Sequence, residues 1–363
     1  RHGTDTRPCA ECCIRQPMST PLSITTRLGT SGDRKRWVRV TVGSLLVGVL
    51  ILIGLLASLA FGAVDISFRE VIDVLLGSGE KISRQIIVES RLPRALAAVM
   101  VGCNLAVSGT LLQAVTRNPL ADPGLIGVTA GAALAATIVL AVFPKAAILL
   151  PMVAFAGAMI AAVVVYTVSW RPGAGSSPMR MILAGVAVNA VLGAVIGVLM
   201  TAFADRIPAM MFWTSGSFNG RGWGHIEMLW PYTVAGVGLA LWLRPRLAVM
   251  ELGDDSAVTL GVPVERTRLI AFAAAALLAG SAASVAGLVG FVGLVVPHLI
   301  RLLLGGNYGL IPVAAVAGGA LLLWSDLAAR LVLAPAEIPV GVITGLIGGP
   351  YFIYLLYRAR WLR

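Results

Sequence analysis

Long apolar segments separated by short polar stretches dominate the chain. Val40–Val64, Ala95–Val115, Leu125–Pro144 and Ala146–Trp170 each continue for about 20 residues or more without a charged side chain. A helix of that length crosses the roughly 30 Å hydrocarbon core of a bilayer. The pattern therefore predicts transmembrane helices rather than helices buried inside a soluble domain.

Hydrophobic length predicts ten spans, so the expected fold class is an all-α polytopic membrane protein. The spans are predicted at 38–62, 91–113, 120–142, 146–170, 180–203, 228–244, 268–286, 288–304, 309–328 and 338–357. Residues 268–304 are almost continuously apolar, and we expect the chain to fold back there near Gly287 and Gly290. An even number of spans leaves both termini on the same side of the membrane.

Composition agrees with this prediction. Hydrophobic residues make up 58% of the chain and charged residues 12%, whereas soluble domains have about 45–50% and about 25%. The net charge of +11 does not indicate nucleic-acid binding, because the basic residues lie between apolar segments and form no stripe. With the N-terminus inside, 19 Lys and Arg lie on the cytoplasmic side and 9 outside, which favours cytoplasmic termini.

The predicted organisation is a tail followed by a single membrane domain. Residues 1–37 are expected to form a cytoplasmic N-terminal tail, in which 1–17 precede Met18 and are expected to lie outside the natural product. Residues 38–357 form the transmembrane domain, and 245–267 form a long cytoplasmic loop within it. The tail cysteines, Cys9, Cys12 and Cys13, lack further ligands at defined spacing, so no metal site is predicted.

The residues that could couple transport to an energy source limit the class of transport protein to which this chain can belong. The lysines, Lys35, Lys81 and Lys145, do not stand in a G-x-x-x-x-G-K-[ST] loop, so this chain is not an ATP-hydrolysing subunit. Span centres have almost no ionisable groups, which disfavours ion coupling. Asp326 and Arg330 are four residues apart and predict an ion pair near a span's outer end. An ion-coupled transporter using Asp326 or Glu337 and a passive channel remain the alternatives from other classes.

Polar and small residues inside the spans have two interpretations each. The in-span amides Asn104, Gln113 and Asn189 either form hydrogen bonds between helices or line a polar conduit. His298 is expected to be a hydrogen-bonded structural residue. Close glycines are expected to let helices pack tightly; they include Gly193, Gly197, Gly341, Gly345 and Gly348.

Several motifs in a fixed order resemble the FecCD family, permeases of ATP-binding cassette importers for iron-siderophores, haem and vitamin B12. They include Arg91-Leu-Pro-Arg94, Arg117-Asn-Pro-Leu-Ala-Asp-Pro-Gly124, Gly290-Phe-Val-Gly-Leu-Val-Val-Pro-His298, Glu337-Ile-Pro-Val-Gly341 and Gly348-Gly-Pro-Tyr-Phe352. The resemblance covers about residues 38–357. It implies a fold like that of the vitamin B12 importer permease and no catalysis or cofactor in this chain, since ATP and Mg²⁺ bind to a separate ATPase.

The resemblance also implies partners and a substrate. Two permease chains, identical or paralogous, are expected side by side in a bacterial cytoplasmic membrane, with the fifth and tenth spans lining a path between them. An ATPase dimer is expected below them and an extracytoplasmic substrate-binding protein above. Ferric siderophore is the expected substrate, and vitamin B12 or haem is the alternative.

Three groups of site residues follow from the resemblance. External arginines, Arg91, Arg94 and Arg330, are expected to bind acidic residues of the binding protein, with lipid phosphate as the alternative partner; two arginines at the positive start of a helix need an external reason. The cytoplasmic gate comprises Asn118, Leu120, Ser176 and Ser177, which could otherwise be ordinary turns. The segment that couples to the ATPase includes Glu251, Leu252, Gly253, Asp254, Asp255, Leu260, Gly261 and Pro263, with a possible helix cap at Ser256.

Overall fold

Helices account for most of the computed structural model, which describes residues 31–62, 64–172, 175–305 and 310–360. The tail cysteines and the expected boundary at residue 17 lie outside the described residues. In order along the chain, the α-helices are α1 (Ser31–Ala60), α2 (Phe68–Leu75), α3 (Lys81–Arg84), α4 (Leu92–Thr116), α5 (Val128–Val142), α6 (Leu150–Ser169), α7 (Pro178–Ala202), α8 (Ile207–Thr214), α9 (Trp223–Met250), α10 (Asp254–Thr259), α11 (Val264–Ala286), α12 (Val292–Leu304), α13 (Ile311–Leu331) and α14 (Val340–Arg360).

Shorter elements connect these helices. A π-helix, Gln85–Arg91, joins α3 to α4, and 3₁₀ turns at Pro123–Ile126, Pro144–Leu149 and Ala204–Arg206 precede α5, α6 and α8. Within the described residues, strand structure is confined to β1 (Trp170–Arg171) and β2 (Gly175–Ser176), which pair as a small antiparallel hairpin. The prediction of an all-α membrane fold is confirmed.

Each predicted span corresponds to one helix in the described part of the chain, namely α1, α4, α5, α6, α7, α9, α11, α12, α13 and α14. Seven helical segments there are long and apolar enough to cross a membrane, and α5, α12 and the apolar part of α14 are shorter. The predicted reversal is present, because α11 ends at Ala286 and Gly287 has a positive φ of 73°.

Helix α4 lies at the centre of the bundle and packs against α9, α11, α12 and α13. Within the most apolar window of each helix, 78% of the residues are buried in α4 and in α11, but only 11% in α1 and in α7. The bundle therefore has a densely packed centre, and α1 and α7 leave most of their apolar surface uncovered by this chain.

Glycines make the closest contacts of this centre. A Cβ atom on Gly102 would overlap the carbonyl oxygen of Gly318 in α13, and one on Gly109 would overlap that of Gly293 in α12. Small residues let the backbones of membrane helices approach in this way. The prediction that Gly193 and Gly197 pack against neighbouring helices is wrong within this chain, because a Cβ there would meet no atom within 4 Å.

The remaining predicted glycines divide in the same way. A Cβ on Gly341 would overlap the carbonyl oxygen of Ser215, and one on Gly348 would overlap the side chain of Phe291. A Cβ on Gly345 would meet no atom within 4 Å, so the prediction that this glycine packs closely against another helix is wrong within this chain. Gly193, Gly197 and Gly345 instead lie on helix surfaces that this chain leaves open.

The in-span amides hold helices together. Asn104 Nδ2 donates to Thr233 Oγ1 at 3.0 Å and to Ser281 Oγ at 3.3 Å, which links α4 to α9 and α11. Gln113 Nε2 donates to the carbonyl oxygen of Gly293 at 3.2 Å. Asn189 Nδ2 donates to the carbonyl oxygen of Gly124 at 2.8 Å. The hydrogen-bonding interpretation is confirmed for all three.

The predicted cytoplasmic loop is shorter than expected. Helix α9 continues through Pro245 to Met250, and α11 begins at Val264, so only residues 251–263 lie between the two helices. They contain one short helix, α10. Gly253, and not Ser256, is the residue at its N-cap, with a φ of 109°.

Candidate functional site

The three predicted docking arginines cluster at one end of the bundle, here called the arginine end, together with Asp326 and Glu337. Arg91 is buried, and its Nη1 donates to the carbonyl oxygens of Leu59 at 2.6 Å and Ala60 at 2.9 Å, at the last turn of α1. Free carbonyls at a helix C-terminus carry partial negative charge, so a cation there is stabilised. Arg91 therefore caps α1.

Asp326 lies at the centre of the arginine end. Arg94 Nη2 contacts Asp326 Oδ1 at 2.9 Å, and Arg94 Nη1 contacts Glu337 Oε2 at 3.0 Å. Arg330 Nε lies 3.3 Å from Asp326 Oδ2, and Arg330 Nη2 donates to Ser58 Oγ at 2.6 Å. The predicted pair of Asp326 and Arg330 is thus confirmed, but it is buried, with 1% and 6% of the side chains exposed.

These contacts correct one part of the reasoning from sequence. Pro93 does lie in the first turn of α4, as predicted. The neighbouring arginines, however, do not require an external partner. Arg91 binds carbonyl oxygens at the end of α1, and the charge of Arg94 is balanced by Asp326. Docking to a binding protein stays a prediction for Arg91, Arg94 and Arg330.

The opposite end of α4, here called the gate end, contains the predicted gate and coupling residues. Arg117 has a left-handed φ of 49° and ends α4. Asn118 Oδ1 then accepts a hydrogen bond from the backbone N–H of Leu120 at 2.9 Å. Such an Asx turn fixes the backbone conformation locally. The loop that follows α4, with Asn118 and Leu120 in it, is therefore held in one conformation.

The second predicted gate segment is the β1–β2 hairpin. Ser176 is buried, and both its backbone N–H and its Oγ donate to Glu265 Oε1, at 2.9 and 2.7 Å. Tyr166 Oη donates to the same oxygen at 3.1 Å. One carboxylate from the first turn of α11 therefore holds the hairpin against the end of α6, while Ser177 lies partly exposed beside it.

Arg268 connects the hairpin to the coupling segment. Its guanidinium donates from Nη1 to the carbonyl oxygen of Ser176 at 2.7 Å and from Nη2 to Asp254 Oδ2 at 3.0 Å. The other carboxylate oxygen of Asp254 lies 2.8 Å from Arg117 Nη2. The structure thus links Asp254 of α10 to Ser176 of the hairpin, through Arg268, and to Arg117, the residue directly before Asn118.

Ala257 packs into the core, but several other side chains of the coupling segment are exposed. Leu252, Val258 and Leu260 are all more than 60% exposed, although they are apolar and lie in a polar connection between spans. Gly261 has a φ of 80°, and Pro263 precedes the first turn of α11. Apolar side chains exposed together beyond the membrane helices are typical of a surface that contacts another protein.

A broad uncovered face belongs to α7 and α14, the fifth and tenth predicted spans. Its side chains are apolar; exposed members are Leu183, Val186, Val191, Val195 and Val198 in α7 and Val342, Leu346 and Ile347 in α14. The described residues contain no group of three or more His, Cys, Asp or Glu that could hold a metal ion. The face can therefore contact lipid, a second chain or a passing solute, but offers few directional bonds.

Asp122, in the loop between α4 and α5, makes the stability of the folded chain depend on pH. Burial raises the pKa of its carboxyl from an ordinary 3.8 to about 6, although the hydrogen bond from the Gly124 N–H opposes the rise. The folded chain thus holds the proton more tightly than the unfolded chain. Stability from this group is complete below pH 3.8 and is lost as the pH rises through about 6.

Replacing Asp122 by Asn is therefore expected to stabilise the purified protein at pH 7.5 by up to about 3 kcal/mol. Asparagine keeps an oxygen for the Gly124 N–H and removes the charge that burial penalises. Thermal unfolding in detergent between pH 4.5 and 8 would measure the effect, and the advantage of the variant should shrink towards pH 4.5. An advantage that does not change with pH would contradict this explanation.

Sequence reasoning missed four residues that hold the gate end together, namely Arg117, Tyr166, Glu265 and Arg268. A signal was available for two of them, because Glu265 and Arg268 are three residues apart at the start of an apolar helix and can pair there. Their partners on other helices had no sequence signal, since Ser176 is 89 residues away from Glu265.

Comparison with known proteins gives consistent results along nearly the whole chain. The iron(3+)-hydroxamate import system permease protein FhuB of Bacillus subtilis is 38% identical over 338 residues, which are 91% of this chain and 88% of that protein. The hemin transport system permease protein HmuU of Yersinia pestis is 40% identical over 329 residues, 89% of this chain and 96% of that protein.

A solved structure agrees with the sequences. A metal-chelate type ABC transporter in an inward-facing conformation matches with a TM-score of 0.77 and 29% identity, over 87% of this chain and 98% of that one. Residues 49–358 match the FecCD transport family, so this chain, a multi-pass membrane protein, belongs to that family.

Proposed function

We propose that this chain is the transmembrane permease subunit of an ATP-binding cassette importer that carries a ferric siderophore across a bacterial cytoplasmic membrane. The structural observation that carries the proposal is the coupling segment, where Leu252, Val258 and Leu260 are exposed beside Asp254. The Asp254 carboxylate contacts Arg117, next to the Asn118 loop, and Arg268, which binds the hairpin. A partner that binds this segment can act directly on the gate.

The partner at this surface is an ATPase dimer, which binds ATP and Mg²⁺, while this chain performs no catalysis. The gate end then faces the cytoplasm and the arginine end faces outward, with both termini in the cytoplasm. The excess of Lys and Arg expected inside supports this orientation. In the domain scheme, residues 38–357 form the permease domain, and the coupling loop lies within it.

A second permease chain, identical or paralogous, covers the open faces of α7 and α14. One chain buries only 11% of the apolar window of α7, and a hydrophobic face of that size needs lipid or a partner against it. Two such faces enclose a path whose walls are mostly Val, Leu, Ile and Gly. When ATP closes the ATPase dimer, the coupling segments move and the path changes its open side.

Ferric siderophore is the proposed substrate because relatives named as permeases for iron(3+)-hydroxamate and Fe(3+)-citrate match the chain over most of its length. Relatives named for hemin and cobalamin match comparably. Haem and vitamin B12 are therefore the alternatives. An apolar path gives few directional contacts, so the binding protein selects the ligand.

The binding protein docks at the arginine end. Arg91 and Arg330 are buried there, whereas the Arg94 side chain is 12% exposed beside a Glu337 side chain that is 33% exposed. Acidic residues of a binding protein therefore reach Arg94 first and compete with Glu337 for it. The exposed cations Arg69, Lys81 and Arg84 precede α4 and attract the same partner.

Reconstitution in liposomes tests the proposal. The chain would be combined with its ATPase and binding protein, and uptake of radiolabelled ferric siderophore, cobalamin and haem would be measured with and without ATP. We expect ATP-dependent accumulation of the ferric siderophore, and none with an ATPase that cannot hydrolyse ATP. Flux without nucleotide would support a channel, and flux driven by an ion gradient that stops in Glu337→Gln would support an ion-coupled carrier.

A further inference from the structure

A continuous chain of polar contacts crosses the gate end. Asp254, the first residue of α10, contacts Arg117 through one carboxylate oxygen at 2.8 Å and Arg268 through the other at 3.0 Å. Arg268 in turn binds the carbonyl oxygen of Ser176 in the hairpin at 2.7 Å. The contacts of Asp254 thus lead to the hairpin through Arg268 and to the Asn118 loop through Arg117.

The two branches differ in strength because they differ in burial. The Arg268 side chain is only 4% exposed, and a buried arginine that loses a carboxylate partner incurs a large penalty. The Arg117 side chain is 36% exposed, so water and salt weaken its pair with Asp254. When α10 moves, the hairpin branch is therefore held more firmly than the branch to the Asn118 loop.

Glu265 joins the hairpin to Arg268 by a second set of contacts. Its Oε1 accepts from Ser176 and Tyr166, and its Oε2 lies 3.3 Å from Arg268 Nη1. The hairpin is short and includes Gly175, where an added Cβ would crowd Glu265. A displacement of Arg268 is consequently expected to carry Ser176 with it, because the two are joined both directly and through Glu265.

We propose that Asp254 is the positioning residue that transmits movement of the coupling segment to both gate segments, through Arg268 to the hairpin and through Arg117 to the Asn118 loop. This inference rests on the proposed function, since it assumes an ATPase that moves α10. It goes further in assigning transmission to one carboxylate shared by two arginines. When the charge of Asp254 is removed, ATP hydrolysis is expected to continue while the gate no longer responds to it.

The first test measures substrate transported per ATP hydrolysed, in liposomes holding the assembled transporter. Asp254→Asn keeps the side-chain shape and is expected to lower this ratio about tenfold while ATP hydrolysis continues. Arg117→Gln breaks only the weaker branch and is expected to lower the ratio about threefold. In the double variant the ratio should equal that of Asp254→Asn alone, because both changes act on one pathway.

Arg244→Gln is the matched control, since Arg244 is an exposed arginine near the same end of α9 and outside these contacts. It should leave the ratio unchanged. A ratio unchanged in Asp254→Asn, or a parallel loss of hydrolysis and transport, would overturn the inference. If Asp254→Asn does not assemble, the ratio in Arg117→Gln decides. Absence of ATP-driven uptake in the unmodified transporter would instead overturn the proposed function.

A second measurement does not depend on the substrate. With the four cysteines of the chain replaced by serine, Ser177→Cys reports on the hairpin through its rate of thiol modification. We expect this rate to change severalfold when ATP binds to the assembled complex. The change should disappear in Asp254→Asn and persist in Arg244→Gln. A nucleotide response that survives Asp254→Asn would overturn the inference even if the transported chelate has been identified wrongly.

Discussion

Replacing Gly109 by alanine is expected to prevent correct folding of the chain, which is the largest effect anticipated for any single methyl group in it. The added Cβ would overlap backbone atoms of Gly293 in α12, and no rotamer change can move a Cβ away from another backbone. The helices must separate, with a loss of at least about 3 kcal/mol of packing free energy. Yield of monodisperse protein and thermal unfolding in detergent would measure it.

Gly238→Ala is the matched control in a membrane helix. Its Cβ would meet no atom within 4 Å. Alanine is a better helix former than glycine by about 0.5–1 kcal/mol, so this variant should be as stable as the natural chain or slightly more stable. Equal behaviour of the two variants would show that α4 and α12 do not approach as closely as described.

Asp326→Asn is expected to destabilise the chain by about 3–5 kcal/mol, because it leaves the Arg94 and Arg330 charges at the arginine end without their central carboxylate. The side chain of Asp326 is only 1% exposed, so water cannot replace the lost partner. The midpoint of thermal unfolding in detergent would report the loss.

Glu337→Gln supplies the comparison, because Glu337 also binds Arg94 but is 33% exposed. A rim ion pair of this kind contributes about 0–1 kcal/mol, and the expected loss of stability is correspondingly small. If both variants lost stability equally, the cluster would not be organised around Asp326.

The ten helices could be predicted because the bilayer sets their length, and apolar segments such as Leu125–Pro144 carry that length in the sequence itself. The limits of the coupling loop could not be predicted, because Pro245 indicates a helix end in the sequence but lies inside α9 in the structure. Its missing N–H and its ring are tolerated there within a long continuous helix. Pattern alone does not reveal such tolerance.

Some residues of the candidate site could be predicted from the sequence, whereas the contacts between them could not. Motif resemblance identified Asp254 and Ser176, yet the arginine that joins them, Arg268, belongs to no motif used in the prediction. The argument that Arg91 and Arg94 need an external partner was wrong for a related reason: their charges were visible in the sequence, but their partners on α1 and α13 lie far along the chain. Charge sign can be read from sequence, whereas neutralisation requires the fold.

The glycine contacts of α4 divide the chain into parts that keep their shape and parts that can shift. Gly102 meets Gly318 and Gly109 meets Gly293 with no free space between the backbones, so α4, α12 and α13 form a stiff block. Helix α7 buries little surface against this chain, and although Gly185 packs closely on the backbone of Leu125, no such contact is made at Gly193 or Gly197. In the proposed transporter, opening and closing of the path is therefore expected to move the part of α7 around Gly193 and Gly197 at the surface of the bundle, while α4, α12 and α13 keep their positions.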